Sequence, residues 1–379
     1  MASRDRASRL SPPLLNETPR PRLLRWPGVG LVAAVFFIGL ALRLGAGDGF
    51  HYLKGIRVGA EYAQPQELLP GQVAGPGRGY DGQMYFYIAQ DPFLTRPATA
   101  RSLDSSFRYR RILYPLLAWA LSLGRRALVP FTLVAINVIA CTALITLLAR
   151  EAERRGRSPW SALCVAVFSG VWIPLLLDLT EPLQLALLAL GAIGGSATVL
   201  LLSALAKETS AVALFASAAR AAWDRSWAMA ARHAALLAAF LVWSAAVQIF
   251  VTGPGFRIAA PQILAPPGAP FVALAQDAAH SPASLLIAAP AVAICVIALL
   301  RTIRNRDAVA LAAGLYALVA LAANLETWLD PTGFLRIMAG AVVLCFISWA
   351  RSGDRAGLAV NILAAGSGLL ALPPLLLAR

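Results

Sequence analysis

Apolar residues run through this chain in blocks of about 14 to 23, each closed by a short break that carries arginine. That alternation predicts a series of membrane helices joined by brief turns, since about 20 apolar residues at 1.5 Å each cross a hydrocarbon core of roughly 30 Å. Residues 27–42 form the first block, and residues 43–111 are the longest polar stretch, rich in Gly, Pro, Tyr and charge. The apolar segment 112–123 is too short to span and reads as a half-inserted or interfacial helix, whereas 127–149 is long enough to cross. Further blocks follow at 160–177, 182–193, 197–206 and 211–222, the last three short and broken by Gly or charge, so a re-entrant arrangement stays open there. Residues 234–251 lead into a Pro-rich loop over 253–282, and blocks at 285–300, 308–325, from Arg336 onward and at 356–377 complete the pattern. The expectation is an all-α polytopic membrane protein with about eleven crossings.

Charge then orients the pattern. Residues 1–25 hold Arg4, Arg6, Arg9, Arg20, Arg22 and Arg25 among several prolines, which predicts a flexible tail on the cytoplasmic side, followed by a single transmembrane domain over 26–379. Arg150 to Arg157, Arg220 to Arg232, Arg301 to Arg306 and Arg351 with Arg355 mark the later cytoplasmic turns by the same rule. Residues 43–111 become an extracytoplasmic loop of the kind that carries function. The first apolar block has no small-residue cleavage site after it and reads as a retained signal anchor. With 59% apolar residues, 14% charged and a mean hydropathy of +0.67, the chain is far from a soluble domain. The formal charge of +14 sits at the ends of apolar blocks, so it reports membrane orientation and excludes nucleic acid as a partner. Cys141, Cys164, Cys295 and Cys345 lie inside apolar blocks without metal-ligand spacing, and three scattered histidines make no metal site.

Every polar cluster other than an Arg-rich turn falls on the outer side in this topology. The clusters are the first loop, residues 178–181, residues 207–209 and residues 326–336. Ionisable groups at or within a membrane are functional candidates, because leaving one in hydrocarbon costs about 2.5 to 3.5 kcal/mol or more. The densest cluster runs Gly79-Tyr80-Asp81-Gly82-Gln83-Met84-Tyr85-Phe86-Tyr87-Ile88-Ala89-Gln90-Asp91-Pro92. Asp81 is placed to begin a short amphipathic helix along the membrane surface that ends before Pro92, where Asp91 suits a structural role. The plainer alternative makes Asp81 an N-cap and the tyrosines an interface belt. The Gly-Pro-Gly-Arg-Gly turn before it lacks a phosphate-loop pattern.

Gly-Tyr-Asp-Gly-Gln followed by an aromatic helix, then Arg108-Tyr109-Arg110-Arg111-Ile112-Leu113-Tyr114-Pro115, resembles the first-loop signature of GT-C-type membrane glycosyltransferases. The bacterial cell-surface glycopolymer proteins and, more distantly, the mannosyltransferases of GPI-anchor assembly are the nearest in flavour. Asp178-Leu179-Thr180-Glu181-Pro182 and Leu205-Ala206-Lys207-Glu208-Thr209 also resemble the third-to-fifth helix region of those proteins, and the likeness covers residues 26–215. The resemblance implies a bacterial inner-membrane enzyme that inverts configuration while moving a sugar from a polyprenyl-phosphate carrier to a lipid or glycan acceptor on the outer side.

In that family an acidic residue of the first loop takes the acceptor proton, and Asp81 is the matching position. Arg110, Arg111, Lys207 and Arg336 are the candidates for the carrier phosphate, with snorkelling to lipid head groups as the alternative for the first two. Lys207 stands between apolar runs and needs a partner, for which its neighbour Glu208 offers itself. Tyr80, Gln83, Tyr85, Glu181 and Glu208 are candidates for sugar and acceptor contacts, Glu181 alternatively as a cap before Pro182. No Asp-x-Asp or Glu-x-Asp pair accompanies Asp81, so the resemblance implies no cofactor and leaves dependence on a divalent metal open. The rival reading is a transporter or flippase for a lipid-linked saccharide, which also uses broken helices and intramembrane charge.

Overall fold

The computed structural model describes residues 25–251, 268–280 and 282–377, and the predicted tail and most of the predicted Pro-rich loop lie outside these residues. The described chain is 78% helix and contains no strand. It begins with α1 (Trp26–Ala46), α2 (Leu53–Ile56), α3 (Gly82–Gln90), α4 (Pro97–Arg101), α5 (Leu113–Leu121) and α6 (Val129–Arg154). Next come α7 (Leu163–Ala166), α8 (Ser169–Leu176), α9 (Glu181–Gly194), α10 (Ala197–Ala206), α11 (Ala211–Trp223) and α12 (Trp227–Phe250). The C-terminal part holds α13 (Ala269–His280), α14 (Pro282–Arg304), α15 (Ala308–Leu321), α16 (Leu325–Leu329), α17 (Pro331–Ser352) and α18 (Arg355–Leu377).

Among the described residues five helices, α1, α6, α12, α14 and α17, are long and apolar enough to cross a membrane, and a sixth span results if the bent pair formed by α7 and α8 counts as one. The block expected as a single crossing over 160–177 is therefore two pieces meeting at 54°. The backbone turns extended at Phe168, and α8 then approaches α17 so closely that a Cβ on Gly170 would stand 2.3 Å from the Leu335 carbonyl oxygen. Small residues at such crossings let backbones meet where lipid offers no hydrophobic drive. A helix, α13, also occupies part of the segment expected as a Pro-rich loop; its alanine-rich run with Pro270 in the first turn suits a helix start.

Within the described residues α17 is the hub. It packs against α6, α8, α9, α14, α15 and α18, and its core residues Met338, Val342, Phe346 and Ala350 are buried. The α12 helix lies at the periphery with Leu241, Val242 and Ile249 exposed, a surface suited to lipid tails. The α1 and α6 helices pack antiparallel: the Trp26 amide reaches the Glu153 carboxylate at the far end of α6, and the Arg150 guanidinium lies over the Trp26 ring.

That contact defines one end of the bundle. Arg351 meets Glu151 there, Arg220 donates to the Arg306 carbonyl, and Arg301 meets Asp354. The opposite end holds α2 to α5, α16 and the first turn of α17. The arginine-rich turns and the acidic, aromatic first loop are thus separated by the length of the helices.

Candidate functional site

The first loop is fixed in place by glycines. Val58 bridges Gly79 and Gly59 bridges Gly75 as isolated β-pairs, and a Cβ on Gly59 would lie 2.1 Å from the Gly79 nitrogen. Gly79 itself has φ +73, a conformation that side chains with a Cβ rarely adopt. The Gln83 side chain seals this crossing, accepting from the Gly59 amide at 2.9 Å and donating to the Arg78 carbonyl. Gln83, expected as a substrate contact, spends both its polar atoms on the loop.

Asp81 precedes α3 as expected, but its side chain makes no capping bond. It reaches Arg108 Nη2 at 2.8 Å and Arg336 Nη2 at 3.6 Å instead. The α3 helix itself is buried on every residue, with Met84 and Tyr85 packed inward, rather than lying along a surface. A Cβ on Gly82 would lie 2.2 Å from the Leu177 carbonyl oxygen, so the helix start sits directly on the chain leaving α8.

Residues Ser106–Arg111 form a 3₁₀ turn, in which side chains three apart eclipse. Arg108 and Arg111 consequently share a face. Arg111 makes a two-point contact to Glu208, both distances 2.7 Å, and donates to the Tyr85 hydroxyl at 2.7 Å. Arg110 turns away and donates to Gln248 on α12 at 2.9 Å. Arg110 and Arg111 were both expected at the carrier phosphate from their place at the outer interface, and Arg108 was missed; the three-residue repeat of the turn was the signal that could have found it.

A helical hairpin supplies the remaining charges. The α9 and α10 helices pack against each other across the left-handed Gly195, which brings the start of α9 beside the end of α10. Glu181 and Lys207 meet there at 2.7 Å, both nearly excluded from solvent. The partner of Lys207 is Glu181 rather than its neighbour Glu208, because the extended backbone at Lys207 sends adjacent side chains in opposite directions. Arg336, one turn into α17, stands 3.6 Å from both Glu181 and Asp81. Its guanidinium lies 5.4 Å from the Tyr80 ring centroid, and the Tyr80 hydroxyl bonds Thr332 at 2.9 Å.

These groups close around a cavity of about 320 Å³. Asp81, Arg108, Arg111, Lys207, Glu208 and Arg336 line it, with Glu326 and Thr327 of α16 on the facing wall. Of the residues expected from sequence, the structure brings Tyr80, Asp81, Arg111, Lys207, Glu208 and Arg336 to this cavity, holds Glu181 and Tyr85 one contact behind it, and leaves Arg110 and Gln83 outside. Burial would push the Asp81 carboxyl up, but Arg108, Arg336 and Arg111 outweigh it and hold the group well below the usual carboxylate range. Arg336 Nε and Nη1 are buried without a hydrogen-bond acceptor.

Comparison with protein-family models, curated proteins and solved structures finds no match to this chain. The chemistry of the site therefore rests on its own geometry. No group of three or more His, Cys, Asp or Glu side chains converges among the described residues in a way that could hold a metal ion. What the cavity offers is Asp81, a partly accessible carboxylate just before α3, with Glu208, Glu326 and Asp330 also on its walls, four cations, and an aromatic side wall. Such a set can hold a phosphate group and accept a proton beside it.

Proposed function

We propose that this chain is a GT-C-type glycosyltransferase that moves a sugar, with inversion, from a polyprenyl-phosphate carrier to a cell-envelope acceptor on the extracytoplasmic side of a bacterial inner membrane. The observation that carries the reading is the meeting of Asp81 with Arg108, Arg111, Lys207 and Arg336 on one small cavity at the end of the bundle away from the arginine-rich turns. A lipid-linked phosphate lies at a membrane interface, and planar guanidiniums match its oxygens. The two unsatisfied nitrogens of Arg336 add to this, since a buried donor without an acceptor costs about 1 to 3 kcal/mol.

In the displacement the acceptor oxygen bonds to the anomeric carbon, the bond from that carbon to the phosphate oxygen breaks with its electron pair leaving on the phosphate, and the acceptor proton passes to Asp81. Charge grows on the phosphate as the bond breaks, so cations fixed around it stabilise the transition state more than the ground state. The same cations explain how a strongly ion-paired carboxylate can serve as a base. A phosphate entering the cavity competes for Arg108 and Arg336, and each contact it takes from Asp81 returns basicity to that carboxylate.

The test is transfer by the purified protein in detergent from a panel of polyprenyl-phosphate sugars, with and without a chelator. Transfer from one donor supports the reading, and the chelator arm decides whether a divalent metal is needed. Absence of transfer from every donor, together with movement of lipid-linked sugar across liposomes containing the protein, would replace the enzyme by a transporter.

A further inference from the structure

Two larger cavities lead away from Asp81 along the first loop. One of about 500 Å³ shares Tyr80, Asp81, Arg108 and Glu326 with the site, and one of about 810 Å³ continues it through Arg78, Gly79 and Tyr80. Each has the volume of a small-molecule binding site, roughly 300 to 1,000 Å³, and together they form a cleft suited to an extended ligand whose end reaches Asp81. The charges in the outer part differ from those at the site. Around Asp81 each cation already faces a carboxylate, Arg336 the most loosely at 3.6 Å. The outer cavity is lined by Lys54, Arg57 and Arg78 with His51, against a single acid, Asp48.

Asp48 is occupied locally, accepting from the Tyr52 and Lys54 amides at 3.1 Å each. Arg78 meets Glu61 at 3.4 Å with most of its side chain exposed, a contact of small worth. Lys54 and Arg57 are exposed and form no ion pair among the described residues. The wall that carries Arg57 is nonetheless built. Arg57 sits at φ +50, its carbonyl accepts from the Tyr80 amide at 3.0 Å, and Phe50 and Tyr52 nearby share the left-handed conformation. Non-glycine residues hold such geometry only where their surroundings impose it, and such positions cluster at ligand sites.

We infer that this outer cleft is the acceptor subsite and that the acceptor is an anionic glycan, whose carboxylate or phosphate groups lie some sugar units away from the hydroxyl that attacks. The acceptor role rests on the glycosyltransferase reading. A neutral glycan would gain nothing from three cations free of strong pairing, whereas an anionic one is oriented by them with its reacting end toward Asp81. Gly71 lines this cavity with open space where a Cβ would stand, so a sugar ring can approach the backbone closely there.

The test is equilibrium binding, without donor, of the full chain in nanodiscs of neutral lipid. Four probes are compared: a uronate-containing hexasaccharide, a phosphate-substituted hexasaccharide, a neutral glucose hexasaccharide, and vesicles carrying anionic phospholipid. One charged glycan is expected to bind about tenfold or more tighter than the neutral one, with the advantage shrinking as salt rises. The carboxylate and phosphate arms identify which anion is read. Lys54→Gln with Arg57→Gln, at exposed positions where folding is not at stake, should remove the advantage while donor binding stays unchanged. Equal affinity for charged and neutral glycans, a preference that survives the double variant, or a preference for the vesicles over every glycan would overturn the inference. Charge-selective binding by a protein that transfers nothing would remove the glycosyltransferase reading and leave the anionic-glycan site standing, and transfer to neutral acceptors with no gain from charge would do the reverse.

Discussion

At the residue scale, the ion pairs around the cavity divide into those that hold the fold and those that tune chemistry. Arg108 is the strongest opposite charge on Asp81, so Arg108→Gln should let the carboxyl pKa rise toward its ordinary range. The base must be ionised to act, and wild-type activity should therefore persist to low pH, whereas the acid limb of the kcat/KM profile should move upward in the variant; an unmoved limb would take Arg108 out of that role. Glu181 and Lys207 are a buried pair, and breaking one leaves the other charge unmatched. Lys207→Met should cost about 3 to 5 kcal/mol, toward the lower end because Arg336 also faces Glu181 at 3.6 Å, and adding Glu181→Gln should recover much of it. Simple additivity of the two in thermal unfolding would contradict the pairing. Asp91 is different again. It accepts from the Thr95 and Arg96 amides at 3.0 and 2.8 Å and from the Thr95 and Thr99 hydroxyls, well away from the cavity. Burial raises its pKa, those hydrogen bonds lower it by more, and the net is a depressed value. Its contribution is then fully present above the unfolded-state pKa of about 3.9 and is lost as pH falls through the folded value. Asp91→Ala should lower stability at neutral pH by about 1.5 to 3 kcal/mol and flatten the acid dependence.

At the element scale, α3 and the chain leaving α8 position the carboxylate. Gly82→Ala has no room against the Leu177 carbonyl and should cost both thermal stability and turnover, while Gly39→Ala in α1, whose Cβ would meet nothing within 4 Å, should change little. Equal tolerance of the two would mean that α3 docks elsewhere. This level also shows what the sequence could and could not carry. Helical content, the short helix after the first loop, the start of α3 at Asp81 and the polarity of the 178–181 and 207–209 breaks follow from local patterns of apolar runs, Gly and Pro. The bend between α7 and α8 does not, because it answers to close packing of Gly170 on α17, a contact 165 positions away at Leu335 (335 − 170). Choice of ion-pair partners is equally non-local. Adjacency suggested Glu208 for Lys207 and interface position suggested Arg110 with Arg111, whereas an extended residue at Lys207 and a three-residue turn at Arg108 to Arg111 select other partners.

At the scale of the whole molecule, the proposed transfer needs the cavity and the arginine-rich turns on opposite faces of the membrane. Positive charge on short turns sets orientation, so the turn at Arg225 should be cytoplasmic and Glu326 should face outward. Cys141, Cys295 and Cys345 are buried and Cys164 is partly exposed, so in a Cys164→Ser background an impermeant thiol reagent should report mainly the introduced position. Glu326→Cys is expected to label from outside intact cells and Arg225→Cys only after the membrane is opened; labelling of both from one side would overturn this topology. The central claim, that Asp81 is the base of a sugar transfer, is tested most directly by single-turnover transfer in Asp81→Asn. The variant keeps the shape but cannot take the proton. Donor binding should be little changed or slightly tighter, since Arg108 and Arg336 lose a competing carboxylate, while turnover should fall by roughly 10² to 10⁴. Near-normal turnover in a folded Asp81→Asn protein, with loss in Glu181→Gln or Asp91→Asn instead, would contradict the assignment.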